Sequence, residues 1–215
     1  SANHIGGLIG FNPWGGTISR SYSSGTVAVG TNSSYVGGLI GQQSDSYVDA
    51  SKTAGNVTGL ADVGGLAGTL FSNQNSVNGN SINNSSSSAT VVASGTGNPN
   101  EYQYYLSAAN AGGLVGLDYA GGTINQSYAT GNVSGTDPNS KFVGGLVGEM
   151  FQPSQLAINS SYASGNVSGA TYVGGLLGNA NHGLINLSNA SGNVTASGNN
   201  IGGLVGSLDY SASIN

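Results

Sequence analysis

The residues that could carry acid–base or metal chemistry are few in this chain. It has 215 residues, of which eight are Asp or Glu, two are His and none is Cys. Glycoside cleavage needs two carboxylates about 5 to 10 Å apart, so the question is whether folding brings any two of the acidic residues together. They are Asp45, Asp49, Asp62, Glu101, Asp118, Asp137, Glu149 and Asp209.

Metal and cofactor chemistry finds little support in the sequence. His4 and His182 are the only imidazoles and, without Cys, make a poor transition-metal site. We expect both at solvated corners. No DxDxDG calcium loop is present. Ca²⁺ binding by Asp side chains and backbone carbonyls between Asp45 and Asp62 stays an open alternative. The glycines never form a phosphate loop with Lys, so we predict no cofactor and assign no metal.

Charge is scarce, which excludes several classes of partner. Charged residues make up 5% of the chain, against roughly 25% in an average soluble domain. The formal net charge is −5 with only three Lys or Arg, a poor match for phosphate backbones. No run of about 18 apolar residues is long enough to span a bilayer. We therefore expect neither nucleic acid binding nor a transmembrane segment.

A repeated phrase organises the whole chain. The pattern apolar-Gly-Gly-Leu-apolar-Gly recurs at intervals of 31, 27, 48, 32, 30 and 28 residues, and periods of this size are typical of solenoids. The long interval indicates that the third unit carries loop insertions, which we place at residues 69–81 and 96–110. The pattern begins at Ile5, Val36, Val63, Ala111, Val143, Val173 and Ile201.

A second phrase follows the first in constant register. An Ile or Val is followed by Val nine residues later, by Ser three residues later and by a small residue two positions beyond that Ser. The first anchors are Ile18, Val48, Ile82, Ile124, Ile158 and Ile185. The serines are Ser21, Ser51, Ser85, Ser127, Ser161 and Ser188, and the small residues are Ser23, Thr53, Ser87, Ala129, Ala163 and Ala190.

These short apolar pieces predict strands, because they are too brief and too interrupted by Gly and Asn for helices. Stacking such units at about 4.8 Å gives a parallel β-helix of about seven three-strand coils. One invariant column should form an internal ladder, in which identical side chains stack from coil to coil: Leu8, Leu39, Leu66, Leu114, Leu146, Leu176 and Leu204. A variable column should face solvent: Tyr22, Lys52, Ser86, Tyr128, Tyr162 and Asn189.

Asparagine predicts a further ladder at a corner of the coils. Asn tolerates unusual backbone angles, and stacked amides can hydrogen-bond between coils. Eleven Asn-x-Ser/Thr sequons also occur in the chain, and corner packing explains most of them without glycosylation. The predicted amide ladder is Asn83, Asn125, Asn159, Asn186 and Asn215. In the first two units the same repeat position holds Ser19 and Asp49.

The phrases GGLIG, GGLAG, GGLVG and GGLLG, each followed by a phrase such as TINQSYATGNVSG, resemble the GLUG repeat of large bacterial surface and secreted proteins. That family includes filamentous-haemagglutinin-like adhesins and non-catalytic regions of some IgA peptidases. The resemblance covers nearly all of residues 1–215. It implies a right-handed β-helix, one domain within a longer array, that serves as an extracellular stalk, adhesin or fibre on the bacterial surface.

The predicted fold argues against an enzyme. Asp118 and Asp209 stand in similar Leu-Asp-Tyr phrases, which we take as equivalent positions three coils and about 14 Å apart, too far for glycoside cleavage. Asp49 and Asp62 should lie closer together, but their unit contains no Arg or His. We therefore predict a non-enzymatic protein. The competing hypothesis is a carbohydrate-binding or carbohydrate-active β-helix that uses the loops of the third unit.

Two features exceed what the scaffold needs. The first is the loop with Glu101, Tyr102, Tyr104 and Tyr105, whose rings and acceptors suit sugars or protein, unless it folds back over the helix. The second is an outer stripe formed by the residue before each apolar-Gly-Gly-Leu core, in which Phe142 and Tyr172 should be adjacent. The stripe is His4, Tyr35, Asp62, Asn110, Phe142, Tyr172 and Asn200.

The ends of the predicted rod lead to a hypothesis about partners. Neither end shows an amphipathic helix or a charged plug to cover the strand edges of the terminal coil. We expect the rod either to continue in a longer polypeptide or to stack end to end with other copies. Host or matrix glycans and proteins remain candidate ligands.

Overall fold

The computed structural model describes residues 3–30, 33–72, 79–95, 109–119, 121–138, 140–151 and 157–215. Within these ranges the chain is all β, contains no helix and forms only parallel strand pairs. Strands that pair come from successive repeat units, so the chain winds as a β-solenoid. The fold class predicted from the repeats is confirmed.

Two sheets contain the apolar-Gly-Gly-Leu core, and each holds seven strands among the described residues. Sheet A comprises Asn3–Gly6, Ser34–Gly37, Ala61–Gly64, Ala111–Gly112, Val143–Gly144, Val173–Gly174 and Ile201–Gly202. Sheet B comprises Ile9–Asn12, Ile40–Ser44, Ala67–Phe71, Val115–Tyr119, Val147–Phe151, Leu177–Ala180 and Val205–Leu208.

The second phrase forms the other two sheets, of seven and ten described strands. Sheet C comprises Thr17–Ser19, Tyr47–Asp49, Asn80–Asn83, Gly122–Asn125, Ala157–Asn159, Leu184–Asn186 and Ser213–Ile214. Sheet D comprises Tyr22–Ala28, Lys52–Gly59, Ser86–Ser87, Thr90–Ala93, Tyr128–Ala129, Val133–Gly135, Tyr162–Ala163, Val167–Gly169, Asn189–Ala190 and Val194–Ala196.

The coils have three strand-forming sides, as predicted, but hydrogen bonding divides them among four sheets. The strand expected through each Gly-Gly-Leu core bends at the second Gly and the Leu, so one side contributes short strands to both sheets A and B. In the third unit, strands include residues 69–71 and 80–81. The first predicted insertion is therefore narrower than 69–81, and its centre, 73–78, lies outside the described residues.

Register between coils follows the sequence repeat. Ile5 pairs with Val36 in sheet A, and Ile124 pairs with both Ile82 and Ile158 in sheet C. Equivalent residues therefore stack directly on one another, which is the arrangement that lets identical side chains form ladders.

The interior holds two apolar clusters. One contains the Leu ladder with the isoleucines of sheet C, and the other joins the valines of sheets A and D, such as Val143 and Val167. The five inner ladder leucines, from Leu39 to Leu176, are fully buried, whereas Leu8 is 51% exposed and Leu204 is half-buried. The ladder is thus confirmed, and its terminal members are more exposed because each lies in a terminal coil with a neighbouring coil on one side only.

The small residues of sheet D are required by a narrow interior. A Cβ added at Gly113 would lie 2.7 Å from the Cβ of Ala129, and one added at Gly145 would lie 2.8 Å from that of Ala163. Carbon atoms do not pack this closely. In five of the seven cores the second Gly faces the small residue across the interior, and at Gly113 and Gly145 the carbonyl of the next coil's Gly is closer still, so these positions must stay small.

The Asn ladder forms as predicted across four described coils. The side-chain Nδ2 of Asn125 donates to Oδ1 of Asn83, Asn159 donates to Asn125, and Asn186 donates to Asn159, at 2.8 to 2.9 Å. The unusual backbone angle, however, falls on the next residue: Gln126 has a φ of 49°. The corner turns one residue later than expected, because Asn closes its strand of sheet C and stacks there.

Serine forms a second hydrogen-bonded ladder beside the first. The Ser127 Oγ accepts the backbone N–H of Ser85 at 3.1 Å and donates to the carbonyl of Asn125 at 2.8 Å. The same pair of bonds recurs at Ser51, Ser85, Ser161 and Ser188. The invariant Ser therefore accepts a hydrogen bond from a backbone N–H of the preceding coil and donates one to a backbone carbonyl of its own coil.

Ser127→Ala should destabilise the protein by about 1 to 3 kcal/mol, because it leaves the buried Ser85 N–H without an acceptor. Ser134→Ala serves as a control, since Ser134 is only half-buried and lies in the same coil. Urea unfolding measures both variants, and equal, small losses of unfolding free energy would show that the Ser ladder does not hold the coils together.

Candidate interaction surface

The strands of sheet B present one face to the interior and one to the exterior. Val115 and Met150 belong to the interior cluster, and Asp118 pairs in register with Met150. Leu117 and Tyr119 alternate with Asp118 and form a separate cluster with Phe71 and Phe151. Side chains at Leu117 and its register partners therefore point outward, whereas Asp118 points inward.

Asp118 is a buried interior acid. It lies in register between Leu70 and Met150 and accepts a backbone hydrogen bond from Gly122. Burial raises the pKa of Asp118 to about 8, and the Gly122 bond lowers it only in part. Its Oδ1 has no hydrogen-bond partner. Its hydrogen bond with Gly122 supports the turn into sheet C. Because apolar side chains lie above and below it, the carboxyl is closed to a substrate.

Glu149 is a buried acid on the outer face of sheet B. Its Oε1 accepts a 3.3 Å hydrogen bond from the Nδ2 of Asn179, while its Oε2 has no partner. Burial raises the pKa of Glu149 to about 8, although the Asn179 bond and the positive charge of Lys141 lower it. Near neutral pH the group is therefore largely protonated and able to donate a hydrogen bond.

The two acids with raised pKa values do not form a catalytic pair. Leu117, not Asp118, pairs with Glu149, so the two carboxyls lie on opposite faces of sheet B. The predicted equivalence of Asp118 and Asp209 is wrong, since the register runs from Asp118 through Met150 and Ala180 to Leu208. One extra residue before the second Leu-Asp-Tyr phrase shifts Asp209 out of the column.

Three other described acids have local hydrogen-bond partners. Asp49 accepts a hydrogen bond from Asn84 at 3.0 Å, and Asp62 accepts one from Asn110 at 2.7 Å. Asp209 accepts one from Ser207 at 3.1 Å. Asp49 and Asp62 are thus held by different neighbours. Within the described ranges, His, Asp and Glu form no group of three that could hold a metal ion.

The outer stripe, which runs along the start of sheet A, forms three contacting pairs. The rings of Phe142 and Tyr172 lie 5.0 Å apart and tilted, as their adjacency predicted, and the rings of His4 and Tyr35 stack at 5.2 Å. Between these pairs, Asp62 and Asn110 are fully buried. The expectation of an exposed stripe is wrong at this central pair.

Both histidines lie in aromatic contacts rather than at freely solvated corners. His4 also approaches Phe11 at 5.4 Å. His182 stacks on Tyr210 at 5.2 Å and its Nδ1 lies 2.9 Å from the Ser211 Oγ. Both are half-buried, so stacking explains these imidazoles without a metal.

Aromatic rings also stack on the outer faces of sheets B and D. Phe71 and Tyr119 are 5.4 Å apart, and Tyr119 and Phe151 are 5.8 Å apart. We did not predict this cluster, although an aromatic residue eight positions after the start of three successive cores was a usable signal. On sheet D, Tyr128 and Tyr162 stack at 4.8 Å.

The column predicted to face solvent does so at most positions. Tyr22 is 64% exposed and Tyr162 38%, and Lys52 and Asn189 are also exposed. Tyr128 is half-buried, and Ser86 is buried because its side chain is short. Of the predicted ligand-binding residues, Glu101, Tyr102, Tyr104 and Tyr105 lie outside the described residues.

One region combines rings with buried polar atoms that lack partners. The backbone of Phe142 packs against Gly148 and Gly178, the glycines that precede Glu149 and Asn179. Besides Glu149 Oε2, the Asn179 Oδ1 has no hydrogen-bond partner. Glu149 and Asn179 are both buried, so the half-buried Phe142–Tyr172 rings are the part of this region that can offer a face to the C–H groups of a sugar.

These features define a parallel β-solenoid of repeated coils, stabilised by hydrogen-bonded and apolar ladders. No described helix is long and apolar enough to cross a membrane. The chain is similar to Halomucin of Haloquadratum walsbyi, with 35% identity over 194 residues that cover 86% of this chain. It spans about 2% of the length of that curated relative. No family model matches the chain, and no solved structure matches it.

Proposed function

We propose that the chain is a non-enzymatic structural segment of a large extracellular surface protein or fibre. The observation that carries this proposal is the pair of Asn and Ser ladders, which link successive coils by side-chain hydrogen bonds along the solenoid axis. Such ladders resist separation of the coils, and a repeated unit extends a rod simply by adding coils.

The similarity to Halomucin supports a place in a much larger protein, because the matched region occupies only 2% of that protein. Its name refers to mucins, which fits an extracellular location for this chain. We retain the GLUG-like adhesin as the specific form of the proposal, on the strength of the repeated Gly-Gly-Leu phrases.

Purified chain incubated with bacterial and plant polysaccharides tests whether it is an enzyme. The proposal expects no release of sugars, with Asp118→Asn and Glu149→Gln indistinguishable from the parent. Turnover that disappears in either variant would overturn the non-enzymatic assignment, because those substitutions remove only the ionisable oxygen.

Glycan binding is a second candidate function, favoured by the tilted, half-buried Phe142–Tyr172 pair. A glycan array probes it directly. Tyr172→Ala should abolish binding that uses this surface, whereas Tyr162→Ala should leave it unchanged, since Tyr162 lies on sheet D. Equal binding by both variants would remove this surface as the binding site.

Other copies or neighbouring segments of the same fibre are the proposed partners. Further coils, whether of the same polypeptide or of another copy, would stack on the first and last described coils, where Leu8 is 51%, Ile201 48% and Ile214 45% exposed. End-to-end pairing would bury them and satisfy the strand edges, and it would propagate without closing. Electron microscopy of the isolated chain at micromolar concentration should show filaments, and a monodisperse monomer would contradict self-stacking.

A further inference from the structure

Two classes of Asn-x-Ser/Thr sequon are separated by the fold. In the Asn ladder, the Nδ2 of Asn125 and Asn159 donates to the neighbouring amide, and the Ser two residues later is buried. The second class is the sequence Asn-Val-Ser or Asn-Val-Thr, whose Asn lies in a strand of sheet D or immediately before one. Its asparagines are exposed and form what we call the sequon stripe: Asn56, Asn132, Asn166 and Asn193.

The amide nitrogens of the sequon stripe are available where those of the ladder are not. The Oδ1 of Asn132 accepts the N–H of Asn166 at 2.9 Å, and the Oδ1 of Asn166 accepts the N–H of Asn193 at 3.0 Å. In the described part of the chain, the Nδ2 of these asparagines has no hydrogen-bond partner. A substituent on Nδ2 leaves the Oδ1 bond intact, so it is compatible with the stacked coils.

We propose that the sequon stripe is a site of N-linked glycosylation, an inference that rests on the proposed extracellular location. The Asn Nδ2 forms a bond to C1 of a sugar while the bond between C1 and a phosphate oxygen of a glycosyl pyrophosphate donor breaks. The pyrophosphate leaves with the electron pair, and one amide proton is released. A glycosyltransferase of the exporting cell carries out this step.

The order of folding and modification does not change the expected pattern. If the chain folds first, the ladder nitrogens are already engaged. If modification comes first, a sugar on the Nδ2 of Asn125 would have to fit beside its 2.8 Å contact with Asn83 Oδ1 and would force adjacent coils apart, so such chains would not fold. Folded protein therefore carries glycans on the stripe and not on the ladder.

Spacing along the stripe limits how many sites are filled at once. Asn132, Asn166 and Asn193 lie in consecutive coils, about 4.8 Å apart. Asn56 is two coils from Asn132, with Thr90 between them. Bulky oligosaccharides on consecutive coils would collide. Occupancy should therefore alternate, with Asn132 and Asn193 filled together or Asn166 filled alone.

Mass spectrometry of glycopeptides from the natural protein tests the proposal. The protein is recovered from the surface fraction of source cells and cut with chymotrypsin, because three Lys and Arg residues give trypsin too few sites. Sugar should be found on stripe asparagines and be absent from Asn83, Asn125, Asn159 and Asn186. A surface-exposed protein that is unmodified on the stripe would overturn the inference while leaving the proposed function standing.

Two further outcomes are distinguishable. Equal modification of ladder and stripe asparagines would also overturn the inference. A protein found only inside the cell would contradict the proposed function and the inference with it.

Matched variants made in the source organism test the sequon itself. Ser134→Ala should remove the sugar from Asn132, whereas Ser134→Thr should retain it, because only the former destroys the sequon. The double variant Asn132→Gln/Asn193→Gln should raise occupancy at Asn166. Unchanged occupancy at Asn166 would contradict alternation, and sugar retained on Asn132 in Ser134→Ala would contradict sequon-directed modification.

Discussion

Leu146→Ala is expected to lower the free energy of unfolding by about 2 to 5 kcal/mol, because it removes a fully buried side chain from the centre of the Leu ladder. The backbones of Leu114 and Leu176 hydrogen-bond to Leu146 from the adjacent coils, so the stack has little freedom to collapse into the cavity. Urea unfolding followed by circular dichroism measures the change.

Tyr162→Ala is the matched control for the ladder. Tyr162 is 38% exposed and stacks on Tyr128 outside the coil, so its truncation should cost less than about 1.5 kcal/mol. Equal losses in the two variants would show that the inside and outside of the coil have been wrongly assigned.

The second large effect is loss of stability as the pH rises from about 4 to 8. The folded-state pKa values of Asp118 and Glu149, both about 8, lie above the ordinary values of 3.8 and 4.5. Between these limits the folded state holds protons that the unfolded state has released, so the unfolding free energy falls with rising pH. Above about pH 8 both states are ionised at these groups and the decline ends.

Neutral variants should remove this pH dependence. Asp118→Asn and Glu149→Gln should each stabilise the protein at pH 9 by about 2 to 5 kcal/mol and change little at pH 4, since each replaces a buried charge with an amide. Thermal unfolding across this pH range provides the measurement. A parent protein that is more stable at pH 9 than at pH 4 would show that these acids are solvated or paired when folded.

The repeated positions made the fold predictable from the sequence. Leu146, Asn125 and Ser127 each recur at a constant place in successive units, and parallel stacking is the arrangement that places identical residues in contact. The small residues opposite Gly113 and Gly145 were visible as a pattern, but the reason for them, close approach across the interior, required the structure.

The positions that differ between coils were the ones that sequence reasoning could not place. Asp118 points inward and Glu149 outward because they occupy adjacent register columns: Asp118 pairs with the interior Met150, whereas Glu149 pairs with Leu117. The Leu-Asp-Tyr phrase alone does not reveal which column faces inward. The left-handed corner falls on Gln126 and not on Asn125 for a related reason: the amide ladder fixes the last strand residue, so the turn must follow it.

Electron microscopy of intact source cells, with gold-labelled antibodies against residues 157–215, tests the proposed extracellular structural role most directly. Those residues form an uninterrupted described segment with many exposed positions, so antibodies raised against the folded chain can reach it. Gold is expected on the outer cell surface or on fibres that project from it. Gold confined to the cytoplasm of sectioned cells, with none on intact surfaces, would contradict it.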